Sequence, residues 1–260
     1  MPQIQVSHDG WIARVAIFNP DRRNSLTYDM MLALSKVLDE LGRDKGTRVI
    51  VVTGGTPEAF TAGGDISEFD TLRASRDDET RYIDITTRAL LSPAICAKPV
   101  IACVRGFCMG GGMQLAAACD LRFVADDAVF RMPAARLGVG YPAAGIERFV
   151  AVLGAANTTD IFISARTFGA DEAYRLGFAN RVVPADVIEQ TVAEYCKKVA
   201  ENAPLTIAAA RAAVREAVSN PVRRDAAAAQ RVIDACWGSD DYHEGRRAFL
   251  EKRHPGFIGR

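Results

Sequence analysis

Apolar residues recur along this chain with two alternating periods. Near the N-terminus, the runs at residues 4–6 and 11–18 flank His8-Asp9-Gly10, the pattern of a β-hairpin. Leu26, Met30, Leu34, Val37 and Leu41 then return every three or four residues. That spacing predicts an amphipathic helix capped by Asn24 or Ser25. Short apolar runs at residues 49–53, 100–104 and 121–125 read as buried strands, with helical stretches between them. The alternation predicts an α/β fold.

Beyond Gly169 the helical period takes over. Ile188, Val192, Tyr195 and Val199 mark one amphipathic helix, and alanine-rich stretches at residues 204–218 and 221–235 predict two more. The breaks at Asn220-Pro221 and Gly238-Ser239 read as turns between helices rather than linkers between domains. The chain therefore divides into a core at residues 1–185 and a helical region at residues 186–260.

Composition narrows the partners. With 260 residues, 49% hydrophobic and 25% charged, the chain suits one main domain with a large core. Its 32 basic and 32 acidic residues cancel without a basic stripe, which argues against nucleic acid and anionic membrane as partners. No segment is long and apolar enough to span a bilayer, and Met1-Pro2-Gln3-Ile4-Gln5 has no leader pattern, so a cytoplasmic location is expected. Cys96, Cys103, Cys108, Cys119, Cys196 and Cys236 lack paired spacing, and His8, His243 and His254 complete no cluster. Reduced thiols and no metal site follow.

Candidate chemistry concentrates at Gly110-Gly111-Gly112, which opens the apolar stretch from Met113 to Cys119. Glycine lets main chain approach a ligand, and the unpaired N–H groups of a first helical turn favour an anionic oxygen. A second glycine loop, Ala62-Gly63-Gly64-Asp65-Ile66, follows the strand-like run at 49–53. Each loop also has a plainer reading: an ordinary turn at Gly63-Gly64, and close helix-to-strand packing at Gly110 to Gly112. Cys108, two residues before the triplet, is either a packed thiol or a nucleophile near the site.

These two loops, with Val100-Ile101-Ala102-Cys103-Val104-Arg105-Gly106 ahead of the triplet, resemble the crotonase superfamily, the enoyl-CoA hydratase/isomerase family. Asn19-Pro20-Asp21-Arg22-Arg23-Asn24-Ser25-Leu26, residues 169–184 and Phe249-Leu250-Glu251-Lys252-Arg253 extend the likeness over nearly the whole chain. The resemblance implies a spiral of repeated ββα turns with a helical C-terminal region. It implies that the amides of Gly64 and Gly111 hold the thioester oxygen of an acyl-CoA and stabilise an enolate. Coenzyme A enters as part of the substrate, with no tightly bound cofactor. Its adenine is expected against Ala62, Gly63, Asp65 and Ile66, and its phosphates near Arg22 and Arg23, which read equally well as surface cations. Lys252 and Phe257 are expected to close the CoA pocket, from this chain or a neighbouring subunit. A homotrimer or dimer of trimers is implied as well, although the alanine-rich helices fit intramolecular packing equally.

The chain departs from the hydratase pattern at two positions. Hydratases of the family use two glutamates, and the corresponding positions here are Gln114 and Ala134. An amide is no general base near neutral pH, and a methyl group is neither acid nor base. Glutamate-pair hydration is therefore not expected. The run Met132-Pro133-Ala134-Ala135-Arg136-Leu137-Gly138-Val139-Gly140-Tyr141 is similar to malonyl-type acyl-CoA decarboxylases of the superfamily, in which a tyrosine at this point faces the acyl group. That likeness makes Tyr141 a candidate acid, with Gln114 and Arg136 orienting a substrate carboxylate. Against it stands Tyr141 as a packed aromatic with a satisfied hydroxyl. Two further readings stay open: a hydratase or isomerase with a recruited acid or base, and an acyl-CoA-binding protein without activity.

Overall fold

In the computed structural model, which describes residues 1–219, 222 and 224–260, the N-terminal hairpin forms where the alternation placed it. Strand β1 (Gln3–Asp9) pairs antiparallel with β2 (Ile12–Phe18). Gly10 makes the turn at φ +55°, a conformation that suits glycine. Helix α1 (Tyr28–Arg43) is capped by Thr27, whose hydroxyl accepts from the Met30 N–H at 3.3 Å. Neither expected cap is free for that task. Asn24 is held at φ +54°, accepts from the Asn19 N–H at 3.1 Å and donates to the Ala59 carbonyl at 2.7 Å. The Ser25 hydroxyl accepts from the Asn19 side chain at 3.2 Å.

Three ββα turns follow. The first comprises β3 (Val49–Gly54), β4 (Ala59–Thr61), the one-turn α2 (Phe69–Leu72) and α3 (Arg76–Ile95). The second comprises β5 (Val100–Val104), β6 (Phe107–Met109) and α4 (Gly111–Ala118). The third comprises β7 (Leu121–Ala125), β8 (Val129–Arg131), α5 (Ala134–Leu137) and α6 (Ala143–Ser164), which kinks at Gly154. Next come β9 (Thr167–Gly169), α7 (Ala170–Arg175) and β10 (Arg181–Val183).

Within each turn the first strand joins a six-stranded sheet of order β1-β2-β3-β5-β7-β10, and the second joins a four-stranded sheet of order β4-β6-β8-β9. The steps β3 to β5 to β7 and β4 to β6 to β8 are parallel. Each turn thus advances the chain by one strand in both sheets, which makes the α/β spiral.

The parallel strands β3, β5 and β7 of the larger sheet are covered on both faces. On one face Ile50, Val52, Val100, Ala102 and Val104 pack with Leu34, Leu38 and Ala116. On the other, Val49, Val51, Ile101, Cys103 and Phe123 pack with Ile188, Val192 and Cys196 of α8 (Ile188–Ala200). The helical region that begins at residue 186 therefore opens with a helix that completes the core. Helices α9 (Pro204–Val218), α10 (Ala226–Trp237) and α11 (Asp240–Glu251) follow. Asn220 and Pro221, expected as a turn, lie outside the described residues. At the other break Ser239 caps α11, accepting from the Tyr242 N–H at 3.0 Å. Among the described residues no helix is long and apolar enough to cross a membrane.

Candidate active site

The two glycine loops meet because β4 and β6 are parallel neighbours whose C-terminal ends lie side by side. Beyond β4, Gly64 forms a parallel bridge with Leu26, fixed by Leu26 N–H to the Gly63 carbonyl and Asp65 N–H to the Leu26 carbonyl, both 2.8 Å. In such a ladder the residue between the two bonds turns its own N–H away from the partner strand. The Gly64 N–H has no hydrogen-bond partner among the described residues. Nor has that of Gly111, the first residue of α4, where helical N–H groups lack an intrahelical acceptor.

Each glycine of the triplet answers a different demand. Gly110 sits at φ +49° between β6 and α4, a conformation that side chains strain to adopt. A Cβ on Gly112 would come within 2.7 Å of Thr61 Cγ2 and 2.8 Å of the Thr61 carbonyl oxygen, so the close-packing reading holds there. Gly111 has more room: its Cβ would stand 3.3 Å from Leu90 Cδ1 and 3.6 Å from the Gly64 nitrogen.

Both loops border a cavity of about 160 Å³, together with Gln114, Ala134, Tyr141 and the α3 residues Tyr82, Thr86 and Leu90. Among the described residues its lining contains no aspartate, glutamate, histidine or cysteine. Gln114 is only 3% exposed, and its amide has no protein partner among the described residues. It packs against α6 at Gly145, where a Cβ would fall 2.8 Å from its Nε2. Ala134 is buried at the start of α5. Tyr141 packs edge-on to Phe162 with ring centroids 5.2 Å apart. The ring packs against the core, while its hydroxyl makes no hydrogen bond to another described residue and stays accessible. Burial above all, and then the nearby Tyr82, push its pKa well above the usual phenol range.

The remaining candidates are only partly assembled. Ala62, Gly63 and Ile66 line the cavity. Asp65 does not: it is buried and caps the following one-turn 3-10 helix by accepting from the Ser67 N–H at 3.0 Å. Arg22 donates to both Asp65 carboxylate oxygens at 2.9 and 3.0 Å, tying the turn after β2 to the glycine loop. Arg23 lies over the Phe107 ring, 4.7 Å from its centroid, while its carbonyl accepts from the Ala62 N–H at 3.0 Å.

Arg136, expected in the substrate pocket, is exposed and outside the cavity lining, because the one-turn α5 buries Ala134 instead. Lys252 is exposed at the end of α11, and Phe257 borders a separate groove with Trp237 and Tyr242. Within one chain neither residue reaches the cavity. The Phe257 carbonyl accepts from Arg48 at 2.7 Å, which anchors the C-terminal tail against the core. Cys108 is fully buried and burial raises its pKa well above the thiol range, matching the packed reading.

Sequence reasoning passed over α3 and the segment before it. Tyr82, Thr86 and Leu90 recur at four-residue spacing and put one helix face on the cavity. Tyr82 is 8% exposed, and its hydroxyl would lie 3.3 Å from a Cβ on Gly64. Burial first, and the charge of Glu68 next, raise its pKa to about 12. Arg73 also lines the cavity, over the rings of Phe69 at 5.0 Å and Tyr82 at 5.9 Å.

The profile of the enoyl-CoA hydratase/isomerase family matches residues 8–260. The chain is 28% identical over 245 residues to the short-chain-enoyl-CoA hydratase of Clostridium acetobutylicum, covering 94% of this chain and 93% of that protein. It is 31% identical over 257 residues to a probable enoyl-CoA hydratase of Mycobacterium tuberculosis, covering 99% and 98%. Among solved structures, an enoyl-CoA hydratase/carnithine racemase from Magnetospirillum magneticum superposes with a TM-score of 0.91 at 33% identity, covering 99% of this chain and 96% of that one. Fold, loop pairing and sequence converge: this chain belongs to the enoyl-CoA hydratase/isomerase family.

Proposed function

We propose that this protein forms a thioester enolate from a malonyl-type acyl-CoA by releasing carbon dioxide, with no protein carboxylate as base. The observation that carries this reading is a cavity bordered, among the described residues, by two unpartnered glycine amides and by no acidic side chain. Gly64 and Gly111 donate to the thioester oxygen as charge develops there; the loss of one such donor typically costs about 3–4 kcal/mol of barrier. The bond from the α-carbon to the carboxylate breaks, its electron pair enters the enolate, and carbon dioxide leaves. Tyr141 then delivers a proton to the α-carbon, and solvent restores the phenol.

Coenzyme A enters as part of the substrate. Its adenine lies against the main chain of residues 62–66, with its phosphates towards Arg22 and Arg23. Lys252 and Phe257 serve the pocket of a neighbouring subunit in a cytoplasmic homotrimer or dimer of trimers. The relatives above bear the names short-chain-enoyl-CoA hydratase and probable enoyl-CoA hydratase, and hydration requires a base to activate water. Gln114 and Ala134 supply none.

The test is incubation with malonyl-, methylmalonyl- and crotonyl-CoA, with products identified by mass. Release of carbon dioxide with the shortened acyl-CoA is expected. Hydration of crotonyl-CoA at rates ordinary for hydratases overturns the proposal, and so does tight thioester binding without any turnover.

A further inference from the structure

Three polar groups on the cavity wall make no hydrogen bond to another described residue: the Tyr82 hydroxyl, the Tyr141 hydroxyl and the Gln114 amide. Tyr82 and Gln114 are more than nine-tenths buried, with 8% and 3% exposure. The polar ends of all three remain accessible rather than sealed in the core, so a ligand entering the cavity can reach them. Three such groups around one cavity point to a ligand rich in oxygen. Tyr141 belongs to the reaction already proposed, and Gln114 packs against Gly145 of α6, which leaves Tyr82.

The charge at the wall identifies the kind of oxygen. Arg73 is the one ionised side chain in the lining among the described residues. Its Nη2 is engaged by Glu79, while its Nε and Nη1 have no partner among the described residues. It lies over the Tyr82 ring, so phenol and guanidinium sit together at this wall. Size limits the guest: the cavity holds about 160 Å³, and an apolar cavity of about 150 Å³ takes benzene. An acyl group of about six heavy atoms fills that space.

We propose that Tyr82, aided by Arg73, selects short acyl-CoA thioesters whose acyl group carries a carboxylate one carbon from the thioester. The Tyr82 hydroxyl would lie 3.3 Å from a Cβ on Gly64, so an anion held there lies close to the thioester oxygen. A carboxylate at the far end of a longer chain would point elsewhere. Tyr82 donates its O–H to that carboxylate, and Arg73 supplies the counter-charge. This inference rests on the acyl-CoA reading of the cavity and deepens it.

The experiment titrates the protein with sulfoacetyl-CoA, an anionic analogue that cannot lose carbon dioxide, and with propionyl-CoA, which lacks the charge. Tyr82→Phe is expected to weaken sulfoacetyl-CoA at least tenfold while leaving propionyl-CoA within twofold. Arg73→Gln is expected to give the same split, and it decides the matter should Tyr82→Phe fail to fold. Equal losses for both thioesters, or no loss for either, overturn the inference. A clear split in a protein that releases no carbon dioxide from malonyl-CoA removes the proposed reaction and keeps the selection. Carbon dioxide release without any split does the reverse.

Discussion

Gly111 and Gly64 face one another so closely that a Cβ on Gly111 would stand 3.6 Å from the Gly64 nitrogen. Its other close neighbour is Leu90 Cδ1 at 3.3 Å, the movable end of a side chain. Gly111→Ala keeps its own N–H, but its methyl stands beside the Gly64 nitrogen and obstructs the thioester oxygen there; it is therefore expected to keep its melting temperature while kcat/KM falls about 100-fold, comparable to the effect of losing one oxyanion donor. Gly112→Ala should do the opposite kind of damage. It drives a methyl into the Thr61 main chain, and overpacking of this sort costs about 1–3 kcal/mol in a denaturant titration.

Tyr141→Phe separates stability from chemistry. The hydroxyl makes no hydrogen bond among the described residues, so its removal should change unfolding free energy by less than about 0.5 kcal/mol. The packing of the ring on Phe162 is retained. Product release from malonyl-CoA is expected to fall about 100-fold if the phenol delivers the proton. Unchanged turnover would remove Tyr141 from the mechanism.

Introducing acids into the cavity tests the proposed chemistry. Gln114→Glu combined with Ala134→Glu places two carboxylates in a cavity that holds none. Like charge repels an acyl carboxylate, so malonyl-CoA turnover should fall at least about tenfold, with crotonyl-CoA hydration appearing. Parallel assays on the two substrates check both changes. A double variant that hydrates nothing would show that the water site itself is missing.

The loop tie between Arg22 and Asp65 is expected to weaken in acid. Burial opposes the charged form of Asp65, but hydrogen bonds from Ser67 and the charge of Arg22 outweigh it and hold the pKa below the ordinary value of 3.8. A carboxylate with a depressed folded pKa contributes stability that is fully present above its unfolded value and is lost as pH falls through the folded one. Asp65→Asn should therefore be less stable than the parent at pH 7, with the difference shrinking progressively below pH 3.8. Chemical denaturation across that range measures it.

Local pattern located most of the scaffold. The hairpin, the strands at 49–53, 100–104 and 121–125, and the helix at 204–218 appear where their apolar periods placed them, because neighbouring residues specify those elements. The cap of α1 moved from Asn24 or Ser25 to Thr27 because distant groups, the Ala59 carbonyl and Asn19, engage the first two. Arg136 and Tyr141 sit five residues apart in one run, yet only Tyr141 reaches the cavity, since α5 buries one face and exposes the other.

By itself, the sequence determined the α/β alternation and the two glycine loops, and it showed Gln114 and Ala134 in the segments beside them, because each is written in contiguous residues. Tertiary structure alone decided that Tyr82 and Arg73 join those loops while Arg136, Lys252 and Phe257 stand apart. The physical reason is register. Which helix face meets which strand end depends on how parallel strands stack through the spiral, and that stacking is set by burial summed over the whole core.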